Sequence, residues 1–394
     1  MNNLFGKLKK YLLLCIIYFF NCFPIKSNKI FMFSYYGSQY GCNPKYITEY
    51  IIQNISKERF DIVWAFNDLN KRDHIPVRKV KTMSLKYYYE LCTSKVVITN
   101  FRTTDLFIKR KNQYYIQTWH SSLRLKQIEK DAERNLPEDY IKMAKRDSEK
   151  CDLLLSGCKY STDIFKKSFW YEGEIFEFGT PRNDLLFHEN PQKKIEILKK
   201  LNVPSDFKII LHAPTFRNDG NLAVYDLNYC GLLKSLEKKM GGKWICLVKL
   251  HPHLILKSSQ LVYGDNVLDV TNYNDIQELL SISDALITDY SSLMFDFSIT
   301  HKPCFLYIPD FKDYVKNDRK LYFDLMELPF KTAMDYSDLL NEIELFEPEK
   351  YTKDLICFFE KIGSYENGRA SESLVKRINE VCFNKNRREL NEAL

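Results

Sequence analysis

The sequence lacks a glycine-rich phosphate loop. Neither G-x-x-x-x-G-K-[ST] nor G-x-G-x-x-G occurs, so a nucleotide held by a backbone-amide cradle of the Walker or dinucleotide type is excluded. Glycine and proline are sparse, thirteen of each in 394 residues, which excludes collagen-like and linker-rich chains. None of the eleven cysteines forms a C-x-x-C pair, and none stands at zinc-finger spacing from a histidine. Most interrupt apolar runs, as Cys246 does within Trp244–Val248; they read as reduced thiols of a core rather than a disulfide framework. There is no D-x-D cluster for a divalent ion. His251 and His253 lack the third ligand a catalytic zinc needs, so no metal and no cofactor is expected. A membrane-spanning helix takes about 20 apolar residues; the run YLLLCIIYFF at 11–20 is half that.

The charge is distributed unevenly. The chain carries a net +7, yet residues 1–29 hold Lys7, Lys9, Lys10, Lys26 and Lys29 and no acid, leaving the rest close to neutral. No nucleic-acid partner is therefore expected of the body. The basic and apolar N-terminus resembles a signal peptide in layout, but no small-x-small cleavage site follows it. It reads as residues 1–27 forming a membrane-associating helix on an anionic surface, at the cytoplasmic face and peripheral. A helix buried against the body is the alternative.

Beyond Lys29, short apolar strands alternate with helical stretches. Strands are expected at 30–33, 61–66, 96–100, 114–119, 153–156 and 175–178, and in a second series at 208–211, 244–248, 267–270, 285–288 and 304–307. Helices are expected at 44–55, 84–92, about 124–150, 228–240, 274–283 and 292–299. This is the signature of an α/β fold with parallel sheets covered on both faces. Two series imply two Rossmann-like doubly wound domains facing across a cleft: residues 28–190, then 191–335, with helices and a polar tail over 336–394. Ligands in such sheets bind beyond the carboxyl ends of the strands.

The chemistry-bearing residues fall at those ends. Strand 114–119 delivers His120, followed by Ser121, Ser122 and Arg124; imidazole is the side chain best suited to move a proton near neutrality. Gly179–Asp184 carries Arg182 and Asn183, and Ala213–Asp219 carries Thr215 and Arg217. Lys249 and His251 follow strand 244–248, where a cation and an imidazole suit an anionic oxygen. Asp289-Tyr290-Ser291-Ser292 opens a helix whose first N–H groups could seat a phosphate. Each cluster alone could be an ordinary cap or surface turn. Together they fit a cleft for a dianionic phosphate ligand held by hydroxyls, cations and imidazoles.

The ordered series QTWHSSLRLK, GTPRND, HAPTFRND, KLHPHL, DVTNYNDIQELLSISDALITDYSSLMFDF, KPCFLYIPD and LYFDL resembles the CDP-glycerol glycerophosphotransferase family of teichoic-acid primases and polymerases over roughly residues 30–370. The resemblance implies a GT-B-like fold and transfer of glycerol phosphate or ribitol phosphate from a CDP-glycerol or CDP-ribitol donor. The acceptor would be a hydroxyl of a lipid-linked saccharide, teichoic-acid-like or capsular, and CMP would be released. It implies His120 as general base and His251 as a contact to the diphosphate. Lys249, Thr215, Arg182, Ser291 and Ser292 would meet donor phosphates, and Thr271 and Asp275 would lie near the nucleoside. The family's Gly-Thr-Pro after the first histidine is here Ser121-Ser122-Leu123, which changes the approach of the acceptor. Two other readings share the fold: a GT-B glycosyltransferase using a nucleotide sugar, and a non-catalytic membrane-associated partner that binds donor without turnover.

Overall fold

Apolar runs buried on both faces make the strands of two all-parallel sheets in the computed structural model, which describes residues 2–70, 75–217, 225, 227–251, 263–317 and 320–383. The first sheet contains β1 (Lys26–Phe33), β2 (Asp61–Phe66), β3 (Arg78–Lys81), β4 (Ser94–Thr99), β5 (Tyr114–Gln117), β6 (Leu153–Leu155) and β7 (Glu174–Phe176), in the order β3-β2-β1-β4-β5-β6-β7. The second contains β8 (Phe207–His212), β9 (Lys243–Val248), β10 (Val267–Asp269), β11 (Ala285–Thr288), β12 (Cys304–Tyr307) and β13 (Lys331–Ala333), in the order β10-β9-β8-β11-β12-β13. Strand order reverses between β1 and β4 in one sheet and between β8 and β11 in the other. These are the switch points at which open α/β sheets present a crevice.

Register explains the continuous apolar runs. Phe31 pairs with Val63 and Val97, and these side chains point into one core together with Phe33 and Ala65. Their neighbours Ile30, Met32, Ile62, Trp64 and Ile98 point into a second core on the opposite face. A strand covered on both sides has no polar face to alternate with. The second domain gathers around Ile209–Leu211, Cys246–Val248, Ala285–Ile287 and Cys304–Leu306.

Over 336–383 the chain is helical, as expected of the region after the second domain, and its helices pack into both cores. The helices Tyr336–Glu344 and Pro348–Ile362 pack into the second core through Leu339, Ile343, Leu355 and Phe358. The helix Ala370–Phe383 returns to the first domain and completes its core with Leu374, Val375 and Ile378. The expected helix at 124–150 is helical only over Glu138–Lys150 and, as a 3-10 turn, Glu129–Asn135. Strands β3 and β13 were not anticipated. The polar tail from 384 onward and His253 lie outside the described residues.

At the N-terminus, α1 (Asn2–Asn21) lies on α3 (Leu85–Thr93), with α2 (Cys42–Asn54) between them in sequence. Ile17 is buried against Tyr88 and Cys92, with Leu13 and Phe20 beside it. Leu8, Tyr11, Leu12, Tyr18 and Phe19 stay more than 60% exposed. The helix thus has a seated edge and an exposed apolar face. Among the described residues no helix is long and apolar enough to cross a membrane.

Candidate active site

His120 stands exposed just past the carboxyl end of β5. Its position is set by backbone that the sequence alone does not reveal. Trp119 takes a left-handed φ of 50°, and its N–H donates to Gln117 Oε1 at 3.0 Å. The His120 ring stacks on the Trp119 indole at 4.5 Å, and the indole meets Phe169 edge-on. Phe169 in turn lies under the Arg102 guanidinium, which is paired with Asp147 and Glu129. His120 Nδ1 lies 3.3 Å from the Asn100 carbonyl oxygen. If Nδ1–H donates there, the lone pair is on Nε2. The buried Asn43 donates to the carbonyls of Thr118 and Trp119 and accepts from the Arg182 N–H, so it ties the β5 end to the Pro181–Asn183 turn.

The loop after His120 is packed rather than open. Ser121, Ser122 and Arg124 are buried. A Cβ on Gly157 would fall 2.3 Å from Ser122 Oγ, so only glycine permits this close approach. Arg124 has no carboxylate partner among the described residues. Its Nη2 donates to the Ser121 carbonyl at 3.2 Å, its guanidinium lies over Phe165, and Nε and Nη1 find no acceptor among the described residues. Burial pulls its pKa down to about 10.

On the second domain, His251 is exposed past the end of β9, with its ring 5.7 Å from that of Phe216. Lys249 Nζ donates to the carbonyls of Thr271 and Tyr273 at 2.5 and 2.8 Å. Burial lowers this ammonium to about 8, with Asp269 opposing the shift. Thr271 Oγ1 accepts from the Leu250 N–H. At the β8–β11 switch point the Thr215 N–H donates to Asp289, while Thr215 Oγ1 is buried without a partner among the described residues. Ser291 Oγ accepts from the Leu293 N–H, and Ser292 Oγ accepts from the Leu125 N–H of the first domain. The helix that follows is only Leu293–Phe297, continued by a 3-10 turn, and Ser292 gives it no side-chain cap. The expected phosphate seat therefore rests on hydroxyls and loop amides more than on a long helix.

Four residues expected near the donor are committed to ion networks. Arg182 pairs with Asp296, and Asn183 joins Asp296, Gln277 and Glu366. Arg217 binds Asp289 at 2.8 Å and Asp310 at 2.6 Å. Asp275 pairs with Lys45 of α2 and accepts from the Tyr46 hydroxyl. A buried guanidinium or carboxylate requires a counter-ion, and these counter-ions lie 72–230 residues away. Sequence reading also missed Glu366. It is held by Thr180 Oγ1 at 2.6 Å and by the Thr180 N–H, against Gly179 at φ +86°, and burial raises its carboxyl to about 7. Its only sequence signal was the turn Ser364–Gly368 before the last helix.

Two open parallel sheets with the same strand-order reversal, their carboxyl-end loops joined by Ser292, Leu125 and Arg182–Asp296, define a two-domain transferase fold of the GT-B kind. Imidazoles from both domains stand at its strand ends. Residues 16–380 match the family CDP-Glycerol:Poly(glycerophosphate) glycerophosphotransferase, and the chain belongs to that family. It is 32% identical to the teichoic acid poly(glycerol phosphate) polymerase of Bacillus spizizenii, over 90% of this chain and 92% of that one. It is 35% identical to the polymerase of the same description from Staphylococcus epidermidis, covering 88% of this chain but only 50% of the relative. The structure of the wall teichoic acid polymerase TagF superposes with a TM-score of 0.82 at 31% identity, over 97% of this chain and 98% of that one. A histidine variant of TagF has been solved after a soak with CDPG.

Proposed function

We propose that the protein transfers glycerol phosphate, or ribitol phosphate, from a CDP-alditol to a hydroxyl of a lipid-linked acceptor, teichoic-acid-like or capsular, and releases CMP. The observation that carries this reading is His120: an exposed imidazole at a strand end, with Nδ1 against a backbone carbonyl, in a chain of this family. In the proposed step the acceptor oxygen attacks the phosphorus that bears the alditol. The new O–P bond forms as the bond to the bridging oxygen of the diphosphate breaks, the hydroxyl proton passes to His120 Nε2, and CMP departs. His251, Lys249, Thr215, Ser291 and Ser292 offset charge on the leaving diphosphate. The Thr215 hydroxyl, without a partner among the described residues, supports a ligand-facing role. Thr271 holds Lys249 through its carbonyl. Arg182, Asn183, Arg217 and Asp275 act as positioning residues, because their side chains already hold carboxylates, amides or a lysine.

The exposed face of α1 supports a peripheral membrane site, with Leu8, Tyr11, Leu12, Tyr18 and Phe19 in the headgroup region and the basic N-terminus on anionic lipid. His120→Ala should lower the rate of CMP release in the presence of acceptor by about 10²–10⁴-fold, with donor affinity near that of the wild type. A variant keeping more than about a tenth of the rate contradicts the base role. His251→Ala should weaken donor binding as well.

A further inference from the structure

A cavity of about 190 Å³ opens at the switch point of the first sheet, lined by Phe33, Tyr36, Met83, Tyr87, Phe101 and Phe107. Its wall residue Phe101 directly follows Asn100 in the chain. Asn100, whose carbonyl faces His120, also accepts the Tyr35 N–H through its side chain at 3.0 Å. Tyr36 and Phe101 therefore flank the residues that hold the imidazole, with their rings 3.9 Å apart.

Two features mark this cavity as a ligand site rather than a packing defect. Tyr36 and Met83, on opposite loops, both take left-handed backbone conformations, with φ of 54° and 61°. Both also leave more than half of an apolar side chain exposed. Bulky residues rarely adopt that conformation, and such strain gathers at ligand clamps. Met83 is further fixed by the Tyr88 hydroxyl at its sulfur. Second, the wall is shared with the seat of α1: Tyr87 and Leu106 line the cavity and also pack with Ile17, Leu13 and Phe20. The cavity thus shares wall residues with the seat of α1, whose other face is exposed. A neighbouring groove shares Thr104 and Leu106 with it; its Lys10 and Arg146 pair with Asp105, and Asp139 and Lys142 also line it.

We propose that this cavity binds the head-proximal segment of the acceptor's lipid chain, guiding the acceptor hydroxyl from the α1 side to His120. The proposal rests on the transferase reading above. The aromatic walls offer apolar contact to the chain, and the shared wall with the seat of α1 sets the side from which it would enter.

The test uses Met83→Asn, because asparagine tolerates the left-handed backbone better than methionine and the fold is retained. The full chain is titrated with monomeric decyl glucoside, and transfer is measured with two acceptors of identical head, one long-chained and one truncated to a methyl group. The wild type should bind the decyl probe and prefer the long-chain acceptor. Met83→Asn should weaken probe binding and reduce that preference about tenfold, as expected for losing burial of about two methylenes. Absence of probe binding in the wild type, or equal binding by the variant, overturns the cavity proposal. Probe binding that weakens in the variant, with no transfer to either acceptor, supports the cavity and rejects the transferase reading instead.

Discussion

At the scale of single residues, the site is held by buried charges whose partners are distant in sequence. Arg182 and Asp296 show what that implies. Both are almost fully buried, and Asp296 also receives Asn183 and Gln277. Removing one partner of such a pair typically costs about 3–5 kcal/mol, whereas replacing both with apolar groups is often close to neutral. Arg182→Met should therefore lower stability to urea by about that amount, and Arg182→Met/Asp296→Leu should recover most of it; equal losses in both variants contradict the account. Glu366 gives a pH dependence. Its carboxyl is raised to about 7 in the fold against an ordinary value of 4.5. Between those values the unfolded chain has released a proton that the native chain keeps, so this residue makes stability fall as pH rises from about 4.5 to 7, by a few kcal/mol at most. Glu366→Gln should flatten that slope; an unchanged pH profile of the unfolding midpoint contradicts it.

At the scale of elements, what could be read from the sequence depended on burial. Strands β2, β11 and β12 fall where their apolar runs predict them, because both faces are covered. Of the four edge strands, β7 and β10 kept a readable apolar signal, but β3, Arg78–Lys81, and β13, Lys331–Ala333, were invisible. These two are short and open on arginine or lysine, as edge strands often do, and the apolar signal is lost. The stretch after His120 was misread as helix for a different reason. Leu125 and Gln127 exchange backbone hydrogen bonds with Tyr322 and Lys320, a pairing set by a partner almost two hundred residues away. His120, Lys249 and His251 were legible as strand-end residues; Asn43, Asn100 and Glu366, which position the loops, carried no comparable pattern. Helix α1 combines both cases, with Ile17 seated and the rest of its apolar face open. Leu12→Glu/Phe19→Glu should cut sedimentation with anionic vesicles several-fold while leaving the melting temperature within about 2 °C, since exposed positions contribute little to folding. Unchanged sedimentation contradicts a membrane role for this face.

At the scale of the whole molecule, the two sheets are not independent. The chain passes from the first domain to the second and returns, so the closing helix Ala370–Phe383 supplies Leu374 and Ile378 to the first core. Lys45 with Asp275 and Glu278, Arg182 with Asp296, and the 125–127 to 320–322 pairing fasten the domains together. Thermal unfolding should therefore be a single cooperative transition, and a chain ending at residue 363 should lose the first domain's protection from proteolysis. Two well-separated transitions in the full chain contradict this coupling. The same joint construction ties carboxyl-end loops of the two sheets together through Leu125–Ser292 and Arg182–Asp296. The transferase reading proposes that His120 acts from one of these sheets and His251 and Lys249 from the other. Its most direct test is product analysis with the purified protein, a membrane extract as acceptor, and CDP-glycerol, CDP-ribitol and UDP-sugars offered in turn. The account predicts acceptor-dependent release of CMP from a CDP-alditol and none from the sugars. Release of a nucleoside diphosphate from a UDP-sugar would contradict it and make the protein a glycosyltransferase on the same fold.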